Sequence, residues 1–149
     1  EKVAAAGLDG RNLENGKNMF QACLCAACHV IGNEGGVAGP QLNALGGRFS
    51  VRDIAEAIIE PSKVVSDQHA VSSIEKNDGS SVVAKVLDEK DGKLIIAMNP
   101  FDMQQTSEIA KADVKSIKPS ATSPMPPALI NRLNEEELKD LLAYLLGKK

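Results

Sequence analysis

Five consecutive residues, Cys25-Ala26-Ala27-Cys28-His29, restrict this chain more than any other feature of its 149-residue sequence. They place two thiols three positions apart and an imidazole directly after the second. A structural zinc site would need two further soft or imidazole ligands, typically as a second pair. Only Cys23 and His69 remain, and they form no such pair. A thioredoxin-like redox pair would want a βαβ setting, and none precedes the motif. The spacing matches thioether attachment of a c-type haem, in which each thiol adds to one vinyl group. The adjacent His29 then sets a ring nitrogen under the iron as one axial ligand. A chain tethered in this way has to fold around a porphyrin. Its aromatic content is compatible with that: 3%, with no Trp, one Tyr and three Phe. Aromatic side chains usually supply much of a core's buried area, and haem would supply that volume instead.

Local patterns give the elements. Asn12 to Cys23 has helical character, and Ile31 to Gly47 is rich in glycine and reads as loop. Ser50 opens a clear helix as an N-cap, with Asp53 completing a capping box and Val51, Ile54, Ala55, Ile58 and Ile59 on one face. Pro61 ends it, because Glu60 is disfavoured in helical geometry before proline. Val71–Lys76, Ser81–Leu87 and Lys93–Met98 read as strands separated by Asn77-Asp78-Gly79 and Lys90-Asp91-Gly92. Weaker strands follow at Gln104–Ala110 and Val114–Ile117, so the segment 70–118 is expected to form a small meander or barrel. Pro119 to Pro127 is a Ser/Pro-rich loop. Asn134, with Glu137, then caps a last helix whose stripe is Leu138, Leu141, Leu142 and Leu145.

Charge and hydropathy narrow the function. The formal net charge is -3 and no Arg/Lys stripe is present, so nucleic-acid binding has little electrostatic support. No apolar run approaches the roughly 20 residues needed to span a bilayer. Glu1 to Gly7 lacks the basic start and apolar core of a signal peptide, and reads as a processed or trimmed terminus. Hydrophobic residues at 43% and charged residues at 25% are ordinary for a globular chain of one domain, 1–149.

With these residues in view, the chain resembles the class I cytochrome c family, in which an N-terminal helix runs directly into the attachment motif. Gly16 and Phe20 match the family's pattern on that helix, and Tyr144 matches the aromatic on the C-terminal helix that crosses it. Gly39-Pro40-Gln41-Leu42 and Gly46-Gly47-Arg48 look like the family's haem-facing loop. By that resemblance, the Pro40 carbonyl accepts a hydrogen bond from the non-ligating nitrogen of His29, and Arg48 reaches a haem propionate. The resemblance also implies a distal iron ligand, Met125, in Ser123-Pro124-Met125-Pro126-Pro127. Met19, Met98 and Met103 are read as packing or surface residues, and His69 as a competing ligand.

The implied fold is mainly α, a class I cytochrome c with its β-rich insertion between the third helix and the distal Met loop. The nearest variants are the cytochrome c haem-binding domains at the C-terminal end of large secreted dehydrogenase-like proteins. The implied activity is one-electron transfer between redox partner proteins by one haem c and its iron, as a carrier or as the module of a larger dehydrogenase, with no catalytic residues of its own. A haem enzyme or gas sensor with an open distal site is the alternative. Because haem is generally attached after export, a periplasmic or otherwise extracytoplasmic location is expected. Cys23 has no role in the attachment spacing and reads as a buried or free thiol.

Overall fold

The structure, a computed structural model, describes residue 3 and residues 7–148, so the reading of Glu1 to Gly7 as a trimmed terminus lies largely outside the described residues. The chain divides into two compact units. One holds residues 1–64 and 125–149, and the other holds residues 65–124.

The first unit is helical. Helix α1 spans Leu13–Ala22, α2 spans Val51–Ile59 and α3 spans Glu135–Leu146. Each begins as its sequence dictates. The Asn12 side chain accepts from the Asn15 amide, and Ser50 with Asp53 and Asn134 with Glu137 both close complete capping boxes. Such reciprocal bonds satisfy amides that have no partner within the helix. Helix α2 ends at Ile59, one residue before Glu60 and Pro61, as expected. Its buried face is Ile54 and Ile58, with Val51 and Ala55 half-buried. Ile59 is 59% exposed and does not share that face; it lies a residue past Ile58, about 100° further round the last turn.

The core of this unit gathers Leu8, Phe20, Cys23, Cys25, Leu45, Ile54, Ile58 and the α3 residues Leu141, Leu142, Ala143, Leu145 and Leu146. Helices α1 and α3 cross at Gly16. A Cβ there would run into the Asp140 carbonyl oxygen and lie 2.7 Å from the Tyr144 Cβ. Only glycine lets the two backbones meet at that point. One turn on, the Phe20 and Tyr144 rings pack at 5.8 Å and 57°. Gly16, Phe20 and Tyr144 thus form the crossing that the resemblance implied.

The second unit is a five-stranded antiparallel sheet. Five strands, labelled from the third in chain order, run β3 Ser72–Lys76, β4 Ser81–Lys90, β5 Lys93–Ala97, β6 Thr106–Ala110 and β7 Val114–Pro119. Their order is β6-β5-β4-β3-β7. Four strands form the expected meander, but the fifth does not continue beside β6. A short 3-10 turn, Lys111–Asp113, carries the chain to the opposite edge, where β7 pairs with β3. In this order β6 and β7 are the two edges of the sheet. A bulge between Val86 and Asp88 lets β4 run on to Lys90, past the Leu87 that the alternation suggested. Ile74, Ala84, Leu94, Ile96 and Ile109 make the core of this unit, with Val82, Val86 and Val114 against them.

The expectation of a mainly α chain needs correction. Among the described residues, strands hold at least as many residues as the α-helices. The Gly-rich segment after the motif also contains a small hairpin, β1 Val30–Ile31 with β2 Glu34–Gly35, where only loop was expected. Among the described residues no helix is long and apolar enough to cross a membrane.

Candidate functional site

The motif sits where α1 stops. Cys23 caps the helix, its N–H donating to the Met19 carbonyl at 2.9 Å. Leu24 then takes a left-handed conformation, φ 62°, and the chain tightens into a 3-10 turn over Cys25–Ala27. A left-handed leucine is uncommon because its Cβ crowds the following carbonyl. Here it reverses the chain so that Cys25 points into the core at 8% exposure while Leu24 remains 56% exposed. Cys28 caps the turn and His29 follows, its N–H donating to the Cys25 carbonyl at 2.9 Å. Cys25, Cys28 and His29 therefore belong to one compact turn.

Backbone bonds join this turn to the Gly-rich segment. Gly36 N–H donates to the Ala26 carbonyl at 2.9 Å and Gly39 N–H to the Cys28 carbonyl at 2.8 Å. Leu42 N–H donates to the Val30 carbonyl at 2.9 Å, and the Asn43 side chain accepts from Gly32 N–H at 2.7 Å. The result is a rigid bed for the imidazole. A Cβ on Gly39 would lie 2.7 Å from His29 Cε1 and 2.9 Å from Nδ1, so the ring rests directly on bare backbone. His29 Nδ1 donates to the Pro40 carbonyl oxygen at 2.8 Å. That bond places the ring's proton on Nδ1 and leaves the lone pair on Nε2, the tautomer a metal-binding imidazole takes.

The remaining candidates divide between the two units. Arg48 ends the 3-10 turn Leu45–Gly47 and is exposed. Its guanidinium lies over the Phe49 ring, 5.5 Å from the centroid. Met125 is half-buried and packs against the core of the helical unit, as does Met19 on α1. Met98, Met103 and His69 all fall in the sheet unit. Cys23, 2% exposed, packs in the helical core as expected of a buried thiol.

Burial governs the thiols. It pushes Cys25 up to about 11, with neighbouring Cys23 adding to the shift, and raises Cys28 and Cys23 as well. None of the three forms a disulfide. Burial thus favours the neutral thiol over the thiolate for any of these cysteines that is not in thioether linkage.

Sequence reasoning missed one polar group that supports the site from behind. Asp140 lies in the apolar stripe of α3 at 6% exposure. Its carboxylate accepts from Arg11 Nε at 2.8 Å, Asn15 Nδ2 at 2.8 Å and Asn12 N–H at 3.2 Å. Arg11 also donates to the Glu136 carboxylate at 2.7 Å and carbonyl at 2.9 Å. Burial works against the charged form of Asp140, but the bonds from Asn15, Arg11 and Asn12, with the Arg11 charge, outweigh it and hold its pKa below the usual carboxylate range. These bonds lock the start of α1 to α3, and α1 delivers the motif. The only signal available was an acid set among Leu138, Leu141 and Leu142, past the acidic first turn of α3.

The fold and this turn agree with what known families show. A family model described as Cytochrome c matches residues 13–97, from α1 through the motif and α2 into β5. That is more than half of the chain, and the chain belongs to the cytochrome c family. Membership brings covalently bound haem c with its iron, and haem-based electron transfer as the family's typical role. No curated protein matches the chain.

Proposed function

We propose that this chain carries single electrons on one haem c tethered through Cys25 and Cys28, with His29 and Met125 as the axial ligands of the iron. When bound, the haem supplies a one-electron Fe(III)/Fe(II) couple. The observation that carries the reading is the His29–Pro40 bond of 2.8 Å, on the same turn as two cysteines outside any disulfide. It orients a nitrogen lone pair beside two thiols at thioether spacing, a donor set suited to haem c and poorly suited to zinc. Met125 supports the second ligand: it packs in the same unit as the motif, between two prolines that stiffen its loop. Two protein ligands saturate the iron, which disfavours oxygen chemistry, and Met ligation raises the potential relative to two His ligands. Arg48 is exposed and, among the described residues, paired with no carboxylate, which suits it to a haem propionate.

Within the family, the β-rich segment before a Met-Pro loop favours the variant found at the C-terminal end of large secreted dehydrogenase-like proteins. The chain then acts outside the cytoplasm, in the periplasm, as a carrier or as the electron-transfer module of such a protein, and passes electrons to docked redox partners. Spectra of the matured protein test this. The unfolded polypeptide keeps its chromophore in alkaline pyridine, the folded reduced protein binds carbon monoxide slowly, and Met125→Ala binds it rapidly with a lowered potential. Equal carbon monoxide binding by parent and variant would show an open distal site and remove Met125 from the iron.

A further inference from the structure

Asn15 and Gly16 are adjacent, and a glycine following an asparagine leaves its backbone nitrogen unusually unhindered. The glycine is dictated by packing, since a Cβ at position 16 would strike the Asp140 carbonyl of α3. The helix crossing thus fixes the glycine of the dipeptide most prone to spontaneous deamidation. In the folded chain the reaction is blocked twice. Gly16 N–H donates to the Asn12 carbonyl at 2.9 Å in the first turn of α1. The Asn15 carboxamide is held by its donation to Asp140 Oδ2 at 2.8 Å.

We infer that Asn15 is a deamidation site closed by the native fold and opened in the unfolded chain, so that time spent unfolded converts it into a residue the fold rejects. The step balances without oxidant or reductant. The Gly16 nitrogen attacks Asn15 Cγ and gives up its proton, and the side-chain nitrogen leaves as ammonia. The five-membered imide takes up one water at either carbonyl, giving aspartate at position 15 or its β-linked isomer. Aspartate there sets a second carboxylate at hydrogen-bonding distance from buried Asp140, with an acceptor in place of the donor, and like charges so placed disfavour one another's ionisation. Arg11 cannot neutralise it freely, being bonded to both Asp140 and Glu136. The β-linked isomer adds a backbone atom within the first turn of α1 and breaks its hydrogen-bond register. The damage falls on the element that leads into the haem motif, and it holds whatever the motif carries.

The full-length matured protein is incubated folded and, in parallel, in concentrated guanidinium at the same pH and temperature. Peptide mass spectrometry then follows amide-to-acid conversion at each asparagine. Asn99 serves as the internal control, because Pro100 has no N–H to attack with. In the unfolded chain Asn15 converts first and Asn99 stays intact. In the folded protein Asn15 converts at least ~10-fold more slowly, since reaction waits on opening of α1. In a second arm, Asn15→Asp lowers the denaturant midpoint, and Asp140→Asn costs less in that background than in the parent. Equal folded and unfolded rates, another asparagine reacting ahead of Asn15, or Asn15→Asp as stable as the parent would each overturn the inference.

Discussion

Replacing Gly16 by alanine adds one methyl group where α1 crosses α3, and two effects oppose each other. Within a helix, alanine is favoured over glycine by about 1 kcal/mol. Against this stands a collision with the Asp140 carbonyl oxygen and with the Tyr144 Cβ at 2.7 Å. Neither neighbour is the flexible tip of a side chain; one is backbone and the other is a side-chain root. Overpacking costs about 1–3 kcal/mol in cores that can adjust, and the upper end applies because the helices themselves must part. Parting also loosens the Phe20–Tyr144 ring contact, which sits at 5.8 Å and is worth about 0.5–1.5 kcal/mol. The helix preference offsets only a part, leaving a net loss of about 3 kcal/mol. Thermal unfolding followed by far-ultraviolet circular dichroism should shift down by about 6–12 °C for a chain of this size. An alanine variant as stable as the parent, or more stable, would mean that the two backbones do not meet at this residue.

Three further outcomes follow from the same geometry, beside the Met125→Ala spectra above. Gly39→Ala pushes a methyl into the His29 ring, 2.7 Å from Cε1, and should disturb the imidazole's ligation, read as a changed visible spectrum of the oxidised protein with helix content retained. The Asp140 pKa is lowered on folding, so its stabilisation is complete above its unfolded value near 3.9 and is lost as pH falls through the lower folded value. Asp140→Asn should therefore flatten the acid limb of a stability-against-pH curve, and an unchanged limb would remove this carboxylate as its source. Ser50→Ala deletes one half of the α2 capping box and should cost about 1 kcal/mol by denaturant midpoint.

What could be read from the sequence was local. The boxes Ser50–Asp53 and Asn134–Glu137 span four residues each, and Cys25 to His29 spans five, so their chemistry needs no knowledge of the fold. The turns at Asp78-Gly79 and Asp91-Gly92 were legible for the same reason, because glycine supplies the positive φ found at both. Asp140 was hidden because its chief cation, Arg11, lies 129 positions away in the chain. The pairing of β7 with β3 was hidden likewise, since strand propensity names a strand and not its neighbour. Gly39 belonged to a stretch that resembles the family's haem-facing loop, but its own role as the bed of the imidazole emerged only from the structure. The proportion of strand was underestimated because resemblance to a helical family outweighed the count of β-rich segments.

The pairing of β3 with β7 has a consequence for how such a chain tolerates change. Ser72 lies opposite Pro119, and Ser120 N–H donates to the Val71 carbonyl at 2.8 Å. The polypeptide thus enters and leaves the sheet through adjacent doors, like the two pins of a plug. A segment with that property can be withdrawn and its socket bridged by a tight turn, leaving the flanking chain no farther to reach. What lies between residues 71 and 120 can in this way be exchanged at a single point of the chain.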